Sequence, residues 1–269
     1  MVGKSRTILL MRLLTLTIIS TWTAIGLSAC SPAAPVHEDE LLPINGTRLF
    51  VHREGSGDPA IVIHGGPVLD HGYLQPYLAP LGDELELVFY DQRLSGCSDG
   101  VVDSASVRLD TFVDDIEALR VALGLERVHL IAHSWGALLA MKYAIAHPAN
   151  LSSVVLLNPM PPTAALWREE QRALAASLSP PDTAGGGALR ATKAFAAGEP
   201  AAIEAVLRDS FRSQFRDRSL ADELTFHIEE DYLARSRQFG LMIGDLTSFR
   251  SPGGSAGCRG AHARSVRRG

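Results

Sequence analysis

Ser134 stands in the run Ala132-His133-Ser134-Trp135-Gly136, between an apolar stretch before it and an apolar, helix-forming stretch after it. A serine hydroxyl becomes a nucleophile only when the chain presents it clear of its neighbours and its proton can be taken away. The run differs from the pattern G-x-S-x-G by Ala132 in place of the first Gly. Small residues flank the serine in that pattern because a sharp strand-to-helix turn leaves no room for side chains. A helix starting there also aims its unpaired N–H groups and the positive end of its dipole at the same point. Five residues are a weak signal alone, and a chance serine in a tight turn is the plain alternative. The strand–turn–helix setting favours the catalytic reading.

Two further runs carry chemistry. His64-Gly65-Gly66-Pro67 follows the apolar stretch Ala60-Ile61-Val62-Ile63, and a Gly-rich turn there lets backbone N–H groups approach a substrate oxygen. Asp91-Gln92-Arg93-Leu94-Ser95-Gly96-Cys97-Ser98 follows the next apolar stretch. Asp91 and Arg93 read as structural, because buried charges pair. Cys97 reads as a small packed residue rather than a nucleophile.

With these three runs in this order, residues 45 to 245 resemble the proline iminopeptidase branch of the α/β-hydrolase superfamily. That branch carries an HGGPG loop, a DQRGxGxS segment and a GGSWG elbow; here Val68, Leu94 and Ala132 each replace a Gly. The resemblance implies an exopeptidase that removes an N-terminal residue, often proline, through an acyl-enzyme on Ser134. It also implies an oxyanion hole made by the Gly66 and Trp135 N–H groups. The three departures bear on the substrate more than on the reaction class.

The elements that must hold these residues follow from periodicity. Strands are expected at 48–53, 60–63, 86–90, 127–132 and 151–157, with helices at 71–81, 109–123 and 136–147 between them. Leu109, Phe112, Val113, Ile116, Leu119 and Leu123 share one helical face; Thr111 and Asp114 suggest a capping box and Gly124 a stop. Such alternation predicts an α/β-hydrolase fold, a mostly parallel sheet with helices on both faces. From 159 to 245 the chain is rich in Ala, Arg, Glu and Leu and reads as a helical cap, with helices at 164–177, 188–197, 201–215 and 220–239.

Composition sets outer limits. The chain has 269 residues, 46% hydrophobic and 20% charged, which excludes a disordered chain and a multi-span membrane protein. A formal charge of -5 argues against a nucleic-acid surface, and three cysteines are too few for a disulfide scaffold. No metal cluster, phosphate loop or dinucleotide fingerprint is visible, so no cofactor is expected.

The two ends read differently from the middle. Lys4, Arg6 and Arg12 precede an uncharged stretch, Leu13 to Leu27, and then Leu27-Ser28-Ala29-Cys30, which resembles the lipobox of bacterial lipoproteins. The expectation is a signal peptide over 1–29, lipidation at Cys30 and a tether over 30–44. The core and cap follow at 45–158 and 159–245. The location expected is the cell envelope, lipid-anchored and extracytoplasmic; an ordinary signal peptide or an uncleaved anchor is the plain alternative. The tail from Ser251, SPGGSAGCRGAHARSVRRG, has no Leu, Ile, Met, aromatic residue or acid, so 246–269 reads as an aberrant or truncated end and the C-terminal strands as missing. Chain order permits Ser134, Asp245 and His262 as a triad, but no strand lies between the last two to position them.

The function expected is therefore a serine hydrolase acting on a small molecule or short peptide, most closely an aminopeptidase. Glu229, Glu230 and Asp231 in the cap are candidates to hold a free amine. The alternatives are an esterase or amidase with the same elbow, or an inactive surface lipoprotein. An epoxide hydrolase or dehalogenase is disfavoured, because those relatives place Asp where Ser134 stands.

Overall fold

Three apolar runs of the middle region become strands buried on both faces, and much of the fold is arranged to cover them. The computed structural model describes residues 36–100, 102–177 and 186–242. Cys30, Asp245, His262, the leader and the tail lie outside the described residues.

Six strands form one sheet: β1 (Val36–Ile44), β2 (Thr47–Gly55), β3 (Asp58–Ile63), β4 (Leu85–Tyr90), β5 (Val128–His133) and β6 (Leu151–Leu157), in the order β1-β2-β4-β3-β5-β6. β3 pairs parallel with both β4 and β5, and β5 pairs parallel with β6. β1 and β2 form an antiparallel hairpin added at one edge. The side chains of β3 alternate between two cores, Ile61 and Ile63 into one and Ala60 and Val62 into the other. That two-sided burial is what a parallel strand requires. This is the α/β-hydrolase fold, with β6 outermost among the described strands and its Val155 and Leu156 exposed.

The described helices are α1 (Gln75–Leu78), α2 (Leu109–Ala122), α3 (Trp135–Ala146), α4 (Ala164–Ser177), α5 (186–190), α6 (Lys193–Ala197), α7 (Pro200–Arg212) and α8 (Tyr232–Phe239). α2 buries the expected apolar face through Leu109, Phe112, Val113, Ile116 and Leu119, and Gly124 follows it at φ 68. Among the described residues no helix is long and apolar enough to cross a membrane.

Several expectations need correction. The tether expected over 30–44 is a strand from Val36 onward. Ile44 reaches the core, while Glu38 and Asp39 pair across the hairpin with Arg53 at 3.5 Å and His52 at 2.6 Å. An edge strand tolerates such charges, which is why the acidic run hid it. The helix expected at 71–81 shrinks to α1 and a 3-10 turn at Ala79–Asp83, because Pro76 and Pro80 break it. α2 begins at Leu109 with Arg108 as its cap, so Thr111 lies inside it and makes no capping box. The long helix expected at 220–239 is a 3-10 turn, an extended segment and α8. In the extended segment Leu224, Phe226 and Ile228 are buried while Thr225 and His227 are exposed, a period of two that suits no helix.

Candidate active site

The backbone at Ser134 is bent into a conformation that few side chains tolerate. Its φ is 51° and its ψ is -115°, between the end of β5 and the start of α3. Such a conformation costs about 1–3 kcal/mol and persists only where the surroundings enforce it. Here the Ser134 N–H donates to the Leu157 carbonyl at 3.0 Å, and its own carbonyl accepts the Met160 N–H at 3.0 Å. Both straps come from the end of β6 and the loop beyond it.

The two small positions of the elbow differ in need. A Cβ at Gly136 would lie 2.5 Å from the carbonyl oxygens of both Ile63 and His64, so α3 sits on β3 at backbone contact. Ala132 is fully buried in the core, where its methyl is accommodated. The first Gly of the motif is therefore replaceable and the second is not.

The loop after β3 closes on the elbow. A Cβ at Gly65 would lie 2.8 Å from the Ser134 Cβ, and Gly66 has φ 53°. The Gly66 N–H donates no hydrogen bond among the described residues, and the Trp135 N–H is the first of α3, without an acceptor in its own helix. Ser134 is half-buried, and no side chain among the described residues hydrogen-bonds its hydroxyl. Two of the three departures from Gly, Val68 and Leu94, sit at φ 70° and 66°, where Gly would be relaxed and a bulky side chain is not.

Two residues tie the three sequence motifs into one site. Gln92 donates from Nε2 to the His64 carbonyl at 2.8 Å, and its Oε1 accepts the indole N–H of Trp135 at 2.8 Å. Tyr73 accepts the Gly65 N–H at 2.7 Å and lies 2.7 Å from Nδ1 of His133. Because the Tyr73 oxygen already accepts the amide, its proton is directed to His133. Burial lowers the His133 pKa, which keeps that ring a neutral acceptor. His64 is wholly buried: Nδ1 meets the Gly65 carbonyl at 2.9 Å and Nε2 meets the Gln92 N–H at 3.1 Å. Burial pushes its pKa down to about 4, so it is neutral near pH 7 and serves as scaffold. Neither Tyr73 nor the bridging role of Gln92 was visible in the motifs, since their partners lie 43 and 60 residues away.

The charges of the third motif are structural, as expected. Arg93 and Asp115 form a buried bidentate pair at 2.7 and 2.6 Å. Asp91 is fully buried and meets His71 Nδ1 at 2.8 Å. Burial alone would raise the Asp91 pKa; the hydrogen bond and charge of His71 overcome this and hold it below the ordinary value. Cys97 is a correction, being exposed rather than packed. Partial burial and the carboxylates of Asp91, Glu229 and Asp70 push its thiol up to about 11, so it is not a ready nucleophile.

Two cavities meet at the site. A cleft of about 550 Å³ is lined by Gly66, Pro67, Ser134, Trp135, Trp167 and Glu170, among others. An aromatic pocket of about 380 Å³ is lined by Tyr73, Tyr77, Phe211, Phe215 and Phe226, with His133 in its wall. Asn158 and Gln214 line both. His133 therefore faces away from the Ser134 cleft. The acids expected to hold an amine do not line the cleft: Glu229 pairs with His227 at 2.9 Å, and Asp231 pairs with Arg235. Glu170 on α4 is the acid that does. His227 lies on the extended segment rather than a cap helix, and His147 closes α3 against Tyr143.

Comparison with known proteins agrees with this architecture. The α/β hydrolase fold family matches residues 58–180. The proline iminopeptidase of Heyndrickxia coagulans is 34% identical over 140 residues, 51% of this chain and 48% of that protein. The crystal structure of a proline iminopeptidase from Mycobacterium smegmatis superposes with a TM-score of 0.51 at 25% identity, over 78% of this chain and 69% of the other. A proline iminopeptidase-related protein from Thermus thermophilus gives 0.52 at 25% identity, over 77% and 73%. The chain spans about half the length of the curated relatives it matches.

Proposed function

We propose that this protein is a serine hydrolase of the aminopeptidase type, with Ser134 as nucleophile and the Gly66 and Trp135 N–H groups as oxyanion donors. The observation that carries the reading is the strained backbone of Ser134 in a cleft shared with the uncommitted Gly66 N–H. Ser134 Oγ bonds to the substrate carbonyl carbon while the oxygen takes up charge against the two N–H groups. The C–N bond then breaks, the serine proton ends on the departing amine, and water releases the acyl group and restores the hydroxyl. His262, downstream of Ser134 as chain order requires, stands outside the described residues.

The likeness to proline iminopeptidases supports a small N-terminal residue as the acyl group. Glu170 is the carboxylate in the cleft suited to a free amine, and the aromatic pocket suits an apolar ring. Kinetics with proline p-nitroanilide, its N-acetylated form and p-nitrophenyl acetate test this. A preference for the free amine of at least about tenfold in kcat/KM, lost in Glu170→Gln, is expected for one lost charged contact. Equal rates on blocked and free substrates would favour an esterase or amidase. We propose further, from the leader sequence alone, that Cys30 carries lipid and holds the protein at the cell envelope. Cys30→Ser should release it from membranes or stop its processing.

A further inference from the structure

Cys97, His227 and Glu229 come from distant parts of the chain, yet one ligand atom from each lies within 4.8 Å of the others. Cys97 sits in the loop after β4, whereas His227 and Glu229 sit on the extended cap segment. Each backbone is pinned. The Cys97 N–H donates to Asp91 Oδ2 at 2.9 Å, and the His227 N–H donates to Asp70 Oδ2 at 2.7 Å. His227 Nε2 already lies 2.9 Å from Glu229 Oε1. We propose that these three side chains bind a thiophilic divalent cation, zinc above all, and so strap the cap segment to the core.

The chemistry of the set points to such an ion. A thiolate, an imidazole and a carboxylate are the three ligand types that zinc takes from proteins, and a softer set excludes magnesium and calcium. Tetrahedral zinc holds its ligand atoms about 3.5 Å apart, so closure from 4.8 Å needs only side-chain rotation. The His227 side chain is 63% exposed and Cys97 is exposed, so both are free to turn. The carboxylates of Asp70, Asp91 and Glu229 surround the thiol and favour a cation there. Arg235 donates to the Gly96 and Ser98 carbonyls at 2.8 and 3.2 Å, and its charge opposes, without cancelling, the effect of those carboxylates on the thiol. On binding, the Cys97 proton passes to buffer, sulfur donates its electron pair to the metal, and a water completes the shell. The strap would hold Phe226, next to His227, as a wall of the aromatic pocket.

The test is cobalt and zinc titration of the full chain carrying Cys30→Ser and Cys258→Ser, which leaves Cys97 as the sole thiol. One equivalent of cobalt should give a thiolate charge-transfer band that zinc abolishes. Cys97→Ser should remove the band, and Cys97→Ser or His227→Gln should weaken zinc binding at least about tenfold. The cluster His37, His52 and Glu54 is the control, so His52→Gln should leave the band unchanged. Absence of the band, or zinc affinity that survives both Cys97→Ser and His227→Gln, would overturn the proposal.

Discussion

The indole N–H of Trp135 donates to Gln92 Oε1 at 2.8 Å, so the residue after Ser134 is held by the segment after β4. The same Gln92 side chain holds the His64 carbonyl in the loop after β3. The loop that carries Gly66 and the residue after Ser134 are thus referenced to one buried amide, which joins the three motifs. Gln92→Leu should leave the Trp135 indole and the His64 carbonyl without partners. Each buried orphan costs about 1–3 kcal/mol. Urea unfolding should show a loss of at least about 2 kcal/mol, and any hydrolytic activity should fall in kcat more than in KM. Unchanged stability would mean that Gln92 does not join the motifs.

The elbow makes a paired prediction. Gly136→Ala forces a Cβ to 2.5 Å from two carbonyl oxygens and should destabilise the fold by more than about 2 kcal/mol. Ala132→Gly removes one buried methyl and should cost about 1 kcal/mol. Thermal unfolding of the two variants, compared with the parent, checks the order. A harmless Gly136→Ala would show that α3 does not rest on the β3 backbone.

His64 sets an acid limit. Its folded pKa of about 4 lies below the ordinary value of 6.5. Between those values the unfolded chain binds a proton that the folded chain does not, so stability rises with pH across the window. The contribution is complete above about pH 6.5 and has fallen by about 3 kcal/mol near pH 4. Urea midpoints measured across this window should fall in the parent and change less in His64→Gln. An equally steep fall in the variant would place the acid sensitivity elsewhere.

How much was legible in advance depended on the range of each interaction. The sharp turns at Ser134 and Gly66 were readable because such turns dictate small neighbours within a few residues. The strands β2 to β6 and the buried face of α2 were readable from short periods. β1 was masked because its acids face partners on β2 that local composition does not reveal. Tyr73 and the bridging Gln92 act through single long-range hydrogen bonds, which leave no periodic trace. The extended stretch from Leu224 to Ile228 carries a period-two signal, which puts His227 on the outside.

The most direct test of the account is covalent capture of Ser134. The 269-residue chain would be exposed exhaustively to a fluorophosphonate, and the adduct located by intact and peptide mass spectrometry. The reaction should end in a single adduct on the peptide containing Ser134, absent from Ser134→Ala. An adduct that survives Ser134→Ala, or none on the parent after exhaustive exposure, would contradict the assignment of Ser134 as the nucleophile.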